Sequence, residues 1–236
     1  MFLGGCSGRY MAINKKIRNA NPLEYNGIKF KSRVEVSIYR LLKTHNIEAK
    51  YEEKTFILSP TIRPTVPFYN RTKKEGFHNI MSPISSITYT PDFTFIYNNI
   101  LVIIEVKGFE NDVFPVKRNL FRKLLETLDN YCMFFEVRTQ KEMLQALKII
   151  EMECPLIQQI RANINNLPEK DISIAHKYLA QRDFESLQDL VDSAIRKVER
   201  SRTHKASPEL QEKYKDIDIF KLQEMSLAVT EYSNKL

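Results

Sequence analysis

The chain has 236 residues, 43% of them hydrophobic, enough for one substantial core and an appendage. No run of about 18 apolar residues occurs, which argues against a transmembrane helix. The three cysteines, Cys6, Cys132 and Cys154, are scattered and odd in number. They argue against a disulfide framework and for a reducing, cytoplasmic setting. The net charge of +7 is carried by residues 1–50, where ten Lys/Arg stand against three Glu, so the remainder is balanced. A basic front end suits a polyanionic partner such as DNA, or serves only as a solubilising tail.

Residues 1–20 read as a basic arm, with Lys15, Lys16 and Arg18 as candidate DNA contacts. Asn26-Gly27 predicts a turn before Ile28-Lys29-Phe30. Ser32 and Glu35 have the spacing of a capping box, opening a helix over Arg33–Thr44 with Val34, Ile38, Leu41 and Leu42 as its apolar stripe. Lys29, Lys31 and Arg33, around this helix start, join the candidate DNA contacts. Glu48–Leu58 reads as extended. Residues 59–86, with four prolines, read as an unusually long loop. Tyr51 and Glu52, ahead of that loop, are placed to support a site.

Two apolar, β-branched and aromatic runs then flank Asn98-Asn99, which predicts a β-hairpin over Ile87–Lys107. If those asparagines form the turn, Tyr97 pairs with Ile100 and Asp92 falls opposite Glu105. Lys107 shares a face with Glu105 and lies across from Thr90. Directly opposed side chains sit roughly 5 Å apart at Cβ. Two carboxylates held that close weaken a sheet unless a divalent cation joins them. The plain alternatives are a turn carboxylate at Asp92, a surface ladder of Glu105 and Lys107, and a purely capping role for Glu35.

A helix over Asp112–Leu128 carries Lys117, Arg118, Arg122 and Lys123, which either contact phosphate or form its solvated face. Tyr131–Val137 reads as a buried strand. Thr139 and Glu142 form a second capping box, opening a helix to about Glu151. Beyond Pro155 helical patterns dominate: an αα-hairpin turning at Gln181-Arg182-Asp183, then a last amphipathic helix to about Tyr232. This helical part carries no charge excess, which suits a packing or protein-partner role.

Pro91-Asp92 followed by Glu105-Val106-Lys107 resembles the signature of the PD-(D/E)XK nuclease superfamily. The blocks NANPLEYNGIKFKSRVEVSIYRLL, YTPDF and IIEVKGF resemble phage-type endonucleases, among them Holliday-junction resolvases of the endonuclease I type and the endonuclease subunits of some transposases. The resemblance covers about residues 20–140. It implies an α/β fold with a restriction-endonuclease-like mixed sheet flanked by helices, followed by an all-helical C-terminal extension. The expected divisions are an arm (1–20), a nuclease core (21–153) and a helical region (154–236). By the same resemblance Asp92, Glu105, the Val106 carbonyl and Glu35 ligate Mg²⁺, with Mn²⁺ as a substitute. Lys107 acts on the attacking water or on the developing charge. The function implied is a DNA endonuclease acting on branched DNA such as Holliday junctions, in the cytoplasm (of the host, if phage-encoded). Two symmetric cuts in a junction imply a homodimer. The alternatives are a transposase-type or restriction-like endonuclease, or an inert DNA-binding or virion protein on the same fold.

Overall fold

The computed structural model describes residues 22–72, 76–108, 112–128 and 131–234. The basic arm with Lys15, Lys16 and Arg18 lies outside them.

Asn26 and Gly27 both take positive φ, 51° and 75°, a conformation these residue types accept most readily. The chain reversal pairs β1 (Leu23–Tyr25) with β2 (Ile28–Phe30). Ser32 then caps α1 (Arg33–Thr44). The Glu35 N–H donates to Ser32 Oγ at 3.2 Å, and the Glu35 carboxylate accepts the Ser32 hydroxyl at 2.7 Å and the Lys31 N–H at 2.9 Å. α1 buries Glu35, Val36, Ile38, Tyr39, Leu41 and Leu42. Val34, expected in the apolar stripe, is instead 37% exposed. It lies one residue's rotation, about 100°, from Glu35 and falls at the margin of the buried arc.

After β3 (Lys50–Tyr51) come β4 (Phe56–Ser59), β5 (Phe68–Thr72), β6 (Gly76–Ile80) and β7 (Ile87–Tyr89). Over its described residues the expected loop of 59–86 is therefore a two-stranded ribbon. β4 pairs with β7, Ile62 bridges Ile84, and β5 pairs with β6, all antiparallel. Pro60, Pro64, Pro67 and Pro83 sit between the paired stretches, where no N–H is needed. They interrupt the alternation that would have marked the strands.

The central hairpin joins β8 (Phe93–Tyr97) to β9 (Ile100–Val106). Asn98 and Asn99 both take positive φ, 46° and 59°, the geometry that matches strand twist in a two-residue hairpin. α2 (Phe114–Leu125), shorter at both ends than the sequence suggests, leads to β10 (Met133–Val137), which adds parallel to β9. The resulting mixed sheet has the order β10-β9-β8-β3. Alternation along β9 gives each face its own packing. Val102, Ile104 and Val106 join the core beneath α1, while Ile103 packs with Phe56, Tyr89 and Phe114, Phe121 and Leu125 of α2.

α3 (Gln140–Asn163) is capped by Thr139 and does not stop near Glu151: it continues through Pro155. An interior proline costs about 3 kcal/mol. Burial of Ile150, Cys154, Leu156, Ile157 and Ile160 offsets it, at roughly 1.5–3 kcal/mol for each large apolar side chain. α4 (Glu169–Gln181) and α5 (Phe184–Ser201) form the expected αα-hairpin, with Arg182 in the left-handed conformation between them. The final helix is two, α6 (Pro208–Tyr214) and α7 (Ile219–Ser233), because Asp218 caps a new start. The expected division between residues 153 and 154 falls inside α3, and a single apolar cluster runs from α1 and the sheet to Tyr232 of α7. Among the described residues no helix is long and apolar enough to cross a membrane.

Candidate active site

Pro91 has no N–H to give, and the ladder between β8 and β9 ends at Phe93↔Ile104. Asp92 and Glu105 each stand one residue beyond that last pair. N–H groups alternate sides along a strand. The Lys107 N–H reaches Val137 O of β10 at 2.8 Å, so the Val106 N–H faces the β8 side. There it donates to Asp92 Oδ2 at 2.6 Å. The Asp92 side chain replaces the strand partner that ends with β8, and the Val106 carbonyl leaves the strand on that same edge. Thr90 is not across from Lys107. Pro91 turns the chain away, and the Thr90 hydroxyl lies 2.8 Å from Thr55 Oγ1.

Both carboxylates are buried, with Asp92 9% and Glu105 6% exposed. The Tyr89 hydroxyl donates to Glu105 Oε2 at 2.6 Å, and Lys107 Nζ lies 2.5 Å from Glu105 Oε1. Lys107 Nζ also sits 3.4 Å from the centre of the Phe114 ring at the start of α2, so the ring face holds the ammonium over the sheet. Parallel pairing sets Glu136 of β10 directly beside Glu105. Arg118 of α2 meets Glu136 at 3.2 Å, and Lys117 donates to the Thr88 carbonyl at 3.1 Å. One helix thus places an aromatic ring and two cations around a carboxylate row.

Burial pushes the Asp92 carboxyl up to about 7, and the Glu105 charge pushes the same way against the Val106 N–H. The Tyr89 hydroxyl is driven well above its ordinary value by burial and by Glu105. It therefore stays a donor at any physiological pH.

A family model described as "Protein of unknown function (DUF1064)" matches residues 15–151, more than half of the chain and all of this site. The chain belongs to that family. No curated protein and no solved structure matches it.

In this DUF1064 chain Glu35 approaches from the opposite side of the sheet. Its Oε2 accepts the Tyr51 hydroxyl at 2.6 Å, and both of its oxygens are engaged. Among the described residues no three His, Cys, Asp or Glu side chains come close enough together to hold a metal. Glu35 is therefore not drawn into one three-carboxylate cluster with Asp92 and Glu105, although its charge acts on Asp92 and helps raise it. Lys31 is ion-paired with Glu52, whose N–H donates to the Asp92 carbonyl at 2.9 Å. Burial alone would lower the Lys31 ammonium, but Glu52, Asp92 and Glu35 together hold it above its ordinary value. Lys29, Arg33, Arg122 and Lys123 are exposed.

Two contributors escape the linear reading: Tyr89, the donor to Glu105, and Glu136. Glu136 leaves a signal, as a lone carboxylate in the apolar run YCMFFEV. Tyr89 leaves none, because an aromatic residue at the end of a strand is ordinary.

The residues present fit a hard divalent cation. Two buried carboxylates and a main-chain carbonyl on the same strand edge form an oxygen-only donor set. The burial and the like-charge repulsion that raise Asp92 are what such a cation would offset.

Proposed function

We propose that this chain is a Mg²⁺-dependent DNA endonuclease of the PD-(D/E)XK kind, acting on branched DNA. The observation that carries the reading is the buried Asp92–Glu105 pair with Lys107 at hydrogen-bond distance from it. Asp92, Glu105 and the Val106 carbonyl would hold the cation, with Glu35 reaching it through water or a second ion. Such a cation polarises the phosphodiester and lowers the barrier to in-line attack by water.

The chain's own groups do the rest. Val106 N–H fixes one Asp92 oxygen and leaves the other to face the site. Tyr89 fixes Glu105. Lys107 is tethered between Phe114 and Glu105 and would turn its remaining N–H to a water or a phosphoryl oxygen. Lys117 and Arg118 supply positive charge at the rim. Lys29, Lys31 and Arg33, with Lys15, Lys16 and Arg18 of the arm, supply phosphate contacts, while Arg122 and Lys123 extend the same helix.

The test is incubation with matched linear, nicked, flapped and four-way DNA in Mg²⁺, beside Asp92→Asn and Glu105→Gln. Cleavage of the branched substrates by the native chain and by neither variant is the expected result. Equal cutting of linear duplex would favour the restriction-like alternative. Failure to cut any substrate with Mg²⁺ or Mn²⁺, while DNA is still bound, would leave the inert DNA-binding reading.

A further inference from the structure

The ribbon of residues 56–72 and 76–89 springs from the candidate site. Tyr89 at its base holds Glu105, and the Thr88 carbonyl accepts from Lys117. From Phe56 to Thr72 the outgoing side is 17 residues long, up to roughly 55 Å if fully extended. A two-stranded ribbon alone is only marginally stable in water.

Its far end is open on both faces. Register places Tyr69 opposite Asn79 and Arg71 opposite Phe77, so these four share one face and Tyr69 lies diagonal to Phe77. Phe77 is 73% and Tyr69 60% exposed, and Arg71 and Asn79 are exposed too. The described residues of the ribbon carry Arg63 and Arg71 and no Asp or Glu. A face of two uncovered rings, a guanidinium and an amide has the chemistry that stacks bases and pairs with phosphate.

We infer that this face binds unpaired bases of a DNA strand that also reaches the candidate site, with Tyr69 and Phe77 as stacking platforms and Arg71 on the phosphates. The inference rests on the nuclease reading for the choice of substrate but not on the chemistry. Duplex ends and intact helices keep their bases stacked and offer the rings little. Branch points expose bases, so the ribbon would supply preference for branched over linear DNA.

The experiment uses the full chain in EDTA, so that nothing is cut. Fluorescence anisotropy measures binding to duplex, single-stranded, flapped and four-way DNA of one sequence. Base–aromatic stacking at two rings predicts that Tyr69→Ser with Phe77→Ser weakens binding to single-stranded and flapped DNA by about 10- to 100-fold or more, with duplex binding changed less than about threefold. Phe77→Tyr and Tyr69→Phe should each bind normally. Iodouracil placed at the branch should photocross-link to Tyr69 or Phe77. Circular dichroism checks the fold, which these exposed positions should leave intact.

Unchanged affinity for every DNA, or cross-links only to other parts of the chain, would overturn the inference. So would a double variant that binds DNA normally but sediments at a lower mass, since the face would then be a contact between copies. The two proposals fail separately. Normal branch binding and cross-linking without any cleavage in Mg²⁺ would remove the nuclease and keep the ribbon. Cleavage of branched DNA untouched by the double variant would do the reverse.

Discussion

Asp92→Asn should stabilise the metal-free protein, and by an amount that grows with pH. The native carboxyl is pushed up to about 7 by burial and by Glu105, against about 3.9 in an unfolded chain. An acid whose folded pKa is raised contributes its full share of stability below the unfolded pKa, and that share is lost as pH rises through the folded one. Native stability should therefore decline between about pH 4 and pH 7 and level off above. At about 1.4 kcal/mol per unit, the ionised group costs on the order of 4 kcal/mol above pH 7. Asparagine carries no charge, and its amide oxygen can still accept the Val106 N–H. Some of the gain is lost because that hydrogen bond becomes neutral and weaker. A net gain of about 2 kcal/mol corresponds to roughly 4–8 °C in a chain of this size. The assay is thermal unfolding in EDTA from pH 4.5 to 8.5, repeated in Mg²⁺. In EDTA the variant's advantage should appear only toward neutral pH. In Mg²⁺ the native protein should gain stability through linkage and the variant should not. A variant less stable than native at pH 8 in EDTA, or a difference independent of pH, would refute the account of a site strained by like charge.

Lys107→Ala is expected to lose about 10²–10⁴-fold in cleavage rate even at saturating Mg²⁺; activity within about threefold of native would show that the lysine only balances charge. Tyr89→Phe removes one hydrogen bond to a charged oxygen, worth roughly 1.5–3 kcal/mol, and leaves the Glu105 carboxylate in place. It should raise the Mg²⁺ concentration needed for half-maximal rate while excess metal restores most of the rate, and a loss that metal does not restore would give the hydroxyl a part in the chemistry. Deleting residues 1–20 should flatten the salt dependence of DNA binding by roughly one unit of slope for each phosphate the arm neutralises, without changing the rate of bound substrate; an unchanged slope would make the arm a solubilising tail.

The sequence by itself determined what depends on near neighbours along the chain. Ser32 and Glu35 sit one helical turn apart, so the cap of α1 follows from their spacing. Asn98-Asn99 fixes a two-residue turn, and the two-residue period of a strand then fixes the face of every residue in the hairpin as far as its last pair, Phe93↔Ile104, with Asp92 and Glu105 each one residue beyond it. Tertiary structure decided everything that depends on which elements meet. Glu136 enters the carboxylate row only because β10 adds parallel to β9 in one register. Tyr89 reaches Glu105 because β7 folds back on β4 beside α2. α3 passes through Pro155 because a shared core covers both of its halves, a contribution no local propensity contains. The ribbon was hidden for the same reason: its strands are short, proline-interrupted and exposed, so only their pairing with each other, across up to 33 residues of chain from Phe56 to Tyr89, makes them strands at all.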